Sequence, residues 1–207
     1  NIEIHRGQWA YPLIGSLLGF FLFLIIFLSD NIGIPHEASI LISLSIGILL
    51  TGALHEDGVA DFFDSLGGKD YSTRQKILKD SRLGSFGVLA LIIVFMLKFL
   101  LLSGLEHPLA LACGLISCFS LGRFSILLLV NYSDLSKQAG LTKHLKKVSR
   151  KTIILCGMFS MLWVIPAGLF AMIFMIIFGY ASIYFFSKFV VPFNRGLSGD
   201  ILGLYVV

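Results

Sequence analysis

Charge is what this sequence has least of. Of its 207 residues only 14% are charged and 57% are apolar, with a mean hydropathy of +0.90. Soluble domains average about 25% charged residues, and a core of this size cannot hide so much apolar surface, so a water-soluble globular fold is excluded. The same composition excludes disorder. Cysteine is nearly as scarce: Cys113, Cys118 and Cys156 sit inside apolar runs without metal-ligand spacing, which excludes a disulfide scaffold and leaves them as small core or lipid-facing residues. No initiator Met opens the chain and no polar tail closes it, so both ends read as trimmed, and no signal peptide is apparent.

What is present is a series of long apolar runs. About 20 such residues carry a helix across the hydrocarbon core, and runs of this kind fall at about 12–28, 38–54, 86–105 and 109–130. Residues 152–191 are almost continuously apolar, twice one membrane thickness, and Pro166 with Gly168 offers a break into spans at 152–168 and 170–190. An apolar stretch at 201–207 reads as the start of a seventh. The expected fold is all-α: a polytopic integral membrane protein of six to seven transmembrane helices in one domain, 1–207, with a cytoplasmic acidic-motif helix.

Short cytoplasmic loops carry an excess of Lys and Arg. Five of the sixteen lie between residues 69 and 82 and six between 137 and 151. Two spans separate these loops, so they share a side, and Arg6, Lys188 and Arg195 fall on it by the same alternation. The connections at 29–37, 104–108 and Pro166 hold neither Lys nor Arg. The amino terminus and all long polar loops are therefore expected inside.

The acidic residues are more concentrated still. Six of the twelve lie between Glu56 and Asp80, four of them within His55-Glu56-Asp57-Gly58-Val59-Ala60-Asp61-Phe62-Phe63-Asp64. Asp57, Asp61 and Asp64 are spaced i, i+4, i+7, which puts three carboxylates on one face of a helix, where they repel unless a cation compensates. Carboxylates suit hard divalent ions, and Mg²⁺ takes a few of them and completes its shell with substrate phosphate and water. The expected metal ligands are Asp57, Asp61 and Asp64 with Glu56. A solvated acidic face is the alternative, but at a membrane surface such a face meets anionic headgroups. Gly58 is expected to let a ligand approach the backbone. His55 and Glu56, at the helix entrance, point elsewhere, and either could accept a proton.

Beyond the Gly67-Gly68 corner, Lys79-Asp80-Ser81-Arg82-Leu83-Gly84-Ser85-Phe86-Gly87 joins cations to glycines, and Lys79, Arg82 and Gly84 are expected to bind phosphate. Arg74 and Lys76 read as inside-facing positive charge. Lys98 and Arg123 fall within spans, where ions face a cavity or a partner. Arg123, about two turns from the cytoplasmic end, is placed to reach a phosphate at the acidic site. Lys98 is deeper and requires a partner or a water pocket. In Asn194-Arg195-Gly196-Leu197-Ser198-Gly199-Asp200, Gly199 and Asp200 join the same surface, although Asp200 could serve as a helix cap. The loop 131–150, with Lys137 and Gly140, lies there too, and its Lys-rich tail is suited to anionic lipid.

Together these motifs resemble the cobalamin synthase family, the adenosylcobinamide-GDP ribazoletransferases. The resemblance rests on Thr51-Gly52-Ala53-Leu54-His55-Glu56-Asp57-Gly58-Val59-Ala60-Asp61, on Asp64 with Gly67-Gly68, on Lys79 to Gly87, and on Gly196-Leu197-Ser198-Gly199-Asp200-Ile201-Leu202-Gly203. It runs from about Arg6 to the last residue; Ser65 stands where Gly is common and Ser198 where Thr is. It implies a Mg²⁺-dependent enzyme of the cell inner membrane, acting at the cytoplasmic face on adenosylcobinamide-GDP and α-ribazole or its 5′-phosphate, with release of GMP. The lipid bilayer is a further partner, a homo-oligomer or a complex with pathway enzymes is compatible, and nucleic acid is not. In this reading Lys79, Arg82 and Arg123 steady the transferring phosphorus, and Asp80 or His55 takes the hydroxyl proton. CDP-alcohol phosphotransferases share the Asp-Gly-x-Ala core, but their motif continues Ala-Arg where this chain has Ala60-Asp61. A secondary transporter would place its polar residues near the midplane of repeated halves, whereas here they gather at one surface.

Overall fold

In lipid every backbone polar group must be satisfied within its own segment, which favours helices over all else, and among the described residues the regular elements are all helices. The computed structural model describes residues 4–78, 80, 82–133, 144–193 and 196–206; Lys79, Lys137, Gly140, Asn194 and Arg195 lie outside the described residues. A 3₁₀ segment, Ile4–Ala10, leads into α1 (Tyr11–Asn31), followed by α2 (His36–Thr51), α3 (Leu54–Ser65), α4 (Tyr71–Ile77), α5 (Ser85–Ser103) and α6 (Pro108–Tyr132). The second half holds α7 (Arg150–Leu162), α8 (Gly168–Phe185), a π-helical turn Phe186–Val190 running into α9 (Val191–Phe193), and α10 (Gly199–Val206).

Among the described residues four helices are long and apolar enough to cross a membrane: Gly7–Asn31, Ser85–Ser103, Pro108–Tyr132 and Ile165–Phe193. A fifth is reached if α2 and α3, bent by 86° at their junction, are taken as one broken span. The count is thus four to five where six to seven were expected, because α2 has 16 residues, α7 has 13 and α10 has 8. The break foreseen at Pro166 is present as a 3₁₀ turn, Ile165–Ala167, closed by Gly168 at φ +88°.

Burying apolar surface in lipid brings helices no hydrophobic gain, so they associate through small residues and interhelical hydrogen bonds. Gly15 and Gly19, one turn apart on α1, face the Phe119 and Leu115 carbonyls of α6, and a Cβ on either would collide with that backbone. Ser43 donates to the Leu22 carbonyl at 2.9 Å, tying α2 to α1, and Ser120 donates to the Pro12 carbonyl at 3.1 Å, tying α6 to α1. One apolar cluster joins Ile26, Ile40 and Leu111 with Leu105, and so gathers the end of α1, the start of α2, the end of α5 and the start of α6. The other joins Tyr11, Leu129, Leu145, Leu197 and Ile201 with Phe62 of α3. The polar segments therefore meet at a single end of the bundle, where α10 packs on α3.

Candidate active site

The acidic helix begins at a sharp corner. Gly52 and Ala53 both adopt left-handed backbone, φ +64° and +55°, and the Gly52 and Ala53 N–H groups donate to the carbonyls of Leu49 and Ile48. This closes α2 and turns α3 across the bundle, so that Val59 and Ala60 face inward at 1% exposure while Asp57 stays in solvent and Asp61 and Asp64 are half-buried. The i, i+4, i+7 spacing does place the three aspartates along one helix.

Gly58 serves a different purpose from the one expected. A Cβ there would lie 2.5 Å from the Asp200 carbonyl oxygen and 3.1 Å from Gly203 Cα. Its missing side chain admits α10, not a ligand. Ser198, not Asp200, caps α10, accepting from the Ile201 N–H at 3.4 Å. Asp200 is thereby released to face Asp57 and Asp61. Burial first, then the charges of Asp57, Asp200 and Asp64, push the Asp61 carboxyl up to about 6. Burial, with help from Asp57, likewise raises Asp200 against the opposing Ser198 hydroxyl. Four carboxylates thus share one neighbourhood, and the fourth comes from a helix nearly 140 residues later in the chain.

Asp64 has an additional task. Its Oδ2 accepts the Gly84 N–H at 2.7 Å and its Oδ1 the Gly87 N–H at 2.8 Å. The carboxylate caps α5 and fastens α3 to it, and a Cβ at Gly84 or Gly87 would meet its oxygens. Gly84, expected to bind phosphate, donates its N–H to a carboxylate instead. Glu56 departs from the expected ligand set as well. It turns toward α5, where its Oε1 lies 3.7 Å from Lys98 Nζ, and its Oε2 is buried without a hydrogen-bond partner. Lys98 thereby gains the partner its depth required.

The two proposed proton acceptors also separate. Asp80 takes the Arg82 guanidinium at 2.7 and 3.0 Å and the Arg82 backbone N–H at 3.1 Å, and these bonds hold its carboxyl below the usual range. Arg82 itself is exposed and paired with Asp80. His55 is half-buried, and burial, reinforced by the charges of Arg123 and Lys98, lowers its pKa against the pull of Glu56. Its imidazole is therefore neutral near pH 7, with a lone pair free for a proton. Arg123 is 8% exposed, with its guanidinium 3.3 Å from the Phe119 carbonyl. Gly199 has open space around it. Arg74, expected as a topology charge only, stacks 3.9 Å above the Phe193 ring.

The sequence reading missed the Gly15/Gly19 seam, although their four-residue spacing in an apolar helix is the known mark of a close helix contact. It also missed two side-chain amides that pair with backbone as a strand would. Gln8 exchanges bonds of 3.0 Å with the Lys146 N–H and carbonyl, and Asn131 pairs with the Val148 N–H at 3.0 Å and its carbonyl at 3.4 Å.

Among the described residues, no three His, Cys, Asp or Glu side chains converge closely enough to enclose a metal ion by themselves. The donor set nevertheless fits Mg²⁺, which is held by one or two carboxylates and completed by substrate phosphate and water. Burial and then mutual repulsion lift Asp61, and the repulsion is what a divalent ion would relieve.

No solved structure matches the chain. Among curated proteins, the adenosylcobinamide-GDP ribazoletransferases of Shewanella sp. (strain ANA-3) and Shewanella oneidensis are each 32% identical over 213 residues, 97% of this chain and 79% of theirs. The enzyme of the same name from Shewanella putrefaciens is 31% identical over the same shares. The description cobalamin-5-phosphate synthase matches residues 1–207. Matched by that family over residues 1–207 and about one-third identical to these relatives, the chain belongs to the cobalamin-5-phosphate synthase family.

Proposed function

We propose that this protein is an adenosylcobinamide-GDP ribazoletransferase working at the cytoplasmic face of the cell membrane. The observation that carries this reading is the shared neighbourhood of Asp57, Asp61, Asp64 and Asp200 on two crossing helices, beside a His55 that lies in the field of Arg123 and Lys98. A pyrophosphate between these groups would meet both halves of what phosphoryl transfer needs: metal-binding oxygens on one side and fixed positive charge on the other.

Asp61, with Asp57 or Asp200 beside it, would supply the one or two carboxylates that hold Mg²⁺, the rest of its shell coming from substrate phosphate and water. When bound, the ion supplies charge neutralisation to the pyrophosphate and the departing GMP. The remaining work belongs to the chain. A hydroxyl of α-ribazole, or of its 5′-phosphate, forms a bond to the cobinamide-bearing phosphorus as the bond to the GMP oxygen breaks. His55 accepts the hydroxyl proton, because Asp80 is already engaged by Arg82. Arg123 and Lys79 steady the phosphoryl oxygens, and the open backbone at Gly199 admits substrate. The same-chemistry alternative, a CDP-alcohol phosphotransferase, is disfavoured by Asp61 itself, which lies among the carboxylates where that motif requires Arg.

The topology follows the positive charge. α1, α2, α5, α6, α7 and α8 cross in turn and α10 begins a seventh crossing, with the amino terminus inside. α2 and α7, at about 24 and 20 Å, are shorter than the roughly 30 Å core. The two end-clusters support this alternation, since each gathers the helix ends that it brings to one side.

Purified protein supplied with adenosylcobinamide-GDP and α-ribazole should release GMP and a cobalamin product with Mg²⁺ and not after chelation. No product with any divalent ion would remove the transferase reading. Cysteines placed between residues 29 and 37 should label only from outside; labelling from the cytoplasm would reverse the orientation.

A further inference from the structure

A groove of about 400 Å³ runs between α1 and α7, away from the carboxylates, lined by Trp9, Pro12, Leu13, Leu155, Cys156 and Phe159 with Thr152 at its upper wall. It lies at the end of the bundle where α1 and α7 both begin, and from Thr152 to Phe159 its α7 wall descends about 10 Å. Its walls are apolar, and Trp9, Leu13 and Leu155 are all more than 40% exposed. It is large enough for a ligand of moderate size.

Directly above it the charge changes. Lys146, Lys147, Arg150 and Lys151 are all exposed, and among the described residues none has a carboxylate partner. Their backbone is not left to chance. Gln8, 1% exposed and adjacent to Trp9, holds the Lys146 peptide by two bonds. The Cys156 thiol donates to the Trp9 carbonyl at 3.4 Å, and Ser149 caps α7. The groove and the cations are thus parts of one framework: an apolar slot below exposed positive charge whose backbone is tied to the groove by Gln8 and the α7 cap.

We infer that this groove binds an anionic phospholipid, with an acyl chain along Leu13, Leu155 and Phe159 and the headgroup phosphate on Lys147, Arg150 and Lys151. The inference rests on the chain being a membrane protein and not on its catalytic assignment. Cations without a carboxylate partner among the described residues, set over an apolar slot, select an amphiphile with a negative head, and the surrounding bilayer supplies one.

The test is native mass spectrometry of the full chain in detergent, with added phosphatidylglycerol or phosphatidylcholine. Retention of phosphatidylglycerol over phosphatidylcholine is expected, undiminished by excess inorganic phosphate. Each Lys near an anionic headgroup contributes about fivefold, so Lys147→Gln with Lys151→Gln should weaken phosphatidylglycerol retention about 25-fold. Leu155→Trp, which fills the slot from an exposed position, should weaken retention of both lipids. GMP release in neutral-lipid vesicles should survive in both variants, which separates this site from the transferase centre. Equal retention of the two lipids, competition by phosphate alone, or retention unchanged in the variants would each overturn the inference.

Discussion

Replacing Gly58 with Ala should damage an enzyme that elementary helix chemistry says it ought to stabilise. Gly in a helix interior costs up to about 1 kcal/mol relative to Ala, so an unobstructed Gly58→Ala would raise stability by that amount. Here the new methyl carbon would lie 2.5 Å from the Asp200 carbonyl oxygen, with Gly203 Cα and Leu204 N at 3.1 Å. Ordinary contact begins near 3.4 Å, so α10 must retreat by about 0.9 Å, and every close atom is backbone that cannot rotate aside. Overpacking of this kind costs about 1–3 kcal/mol, which cancels or exceeds the propensity gain. The same retreat carries Asp200 away from Asp57 and Asp61, and a displacement near 1 Å can cost about 100-fold in rate. GMP release under saturating Mg²⁺ measures the second effect and thermal unfolding in detergent the first. Gly179→Ala provides the control, since Gly179 sits inside α8 with nothing within 4 Å of its Cβ position. A Gly58→Ala enzyme as stable as the Gly179→Ala control and turning over at the parental rate would refute the crossing argument.

Asp61→Asn should abolish GMP release yet raise the thermal stability of the metal-free protein at pH 7, because it removes a carboxylate held among three others; lower stability would contradict the repulsion. With its pKa raised from 3.8 to about 6, Asp61 keeps its proton longer folded than unfolded, so this group makes stability fall as pH climbs from about 4 to about 6, and unfolding curves at graded pH should show that slope vanish in Asp61→Asn. Lys98→Met should destabilise by about 2 kcal/mol, the low side for a broken pair because 31% of Lys98 and 20% of Glu56 remain exposed. Combining it with Glu56→Gln should restore most of that loss, and a purely additive double variant would show that the two side chains do not depend on each other.

The parts of this fold that were legible in the sequence depend on near neighbours. Asp57, Asp61 and Asp64 share a face because helical periodicity is local, and the limits of α1, α5 and α6 fall within a few residues of the apolar runs that predicted them. What stayed hidden depends on partners far along the chain. Gly58 looked like an opening for a ligand because Gly203, which fills that opening, lies on another helix. Glu56 looked like a fourth metal ligand because its pairing with Lys98 is set by how α3 lies on α5. Asp200 could be read as a cap only until Ser198 was seen to occupy that role. The spans at 38–54 and 152–168 were drawn too long for the same reason: hydropathy continues through Gly52-Ala53 and Trp163-Val164, where the backbone turns.

The glycine seam between α1 and α6 also bears on how the protein is made. The Ser120 hydroxyl that reaches the Pro12 carbonyl is 108 residues downstream of it, and Gln8 waits for a partner 138 residues later. At roughly 5–20 residues per second of synthesis, α1 spends roughly 5–20 seconds in the membrane before α6 exists to receive it. During that interval α1 keeps its bare glycine face toward whatever lipid or helper protein surrounds it, and the acidic helix α3 is made long before α10 can close over it. The packing of α10 on α3 therefore waits until residues 199–206 have been made, and a chain that stops short of Asp200 lacks the fourth carboxylate of the acidic cluster.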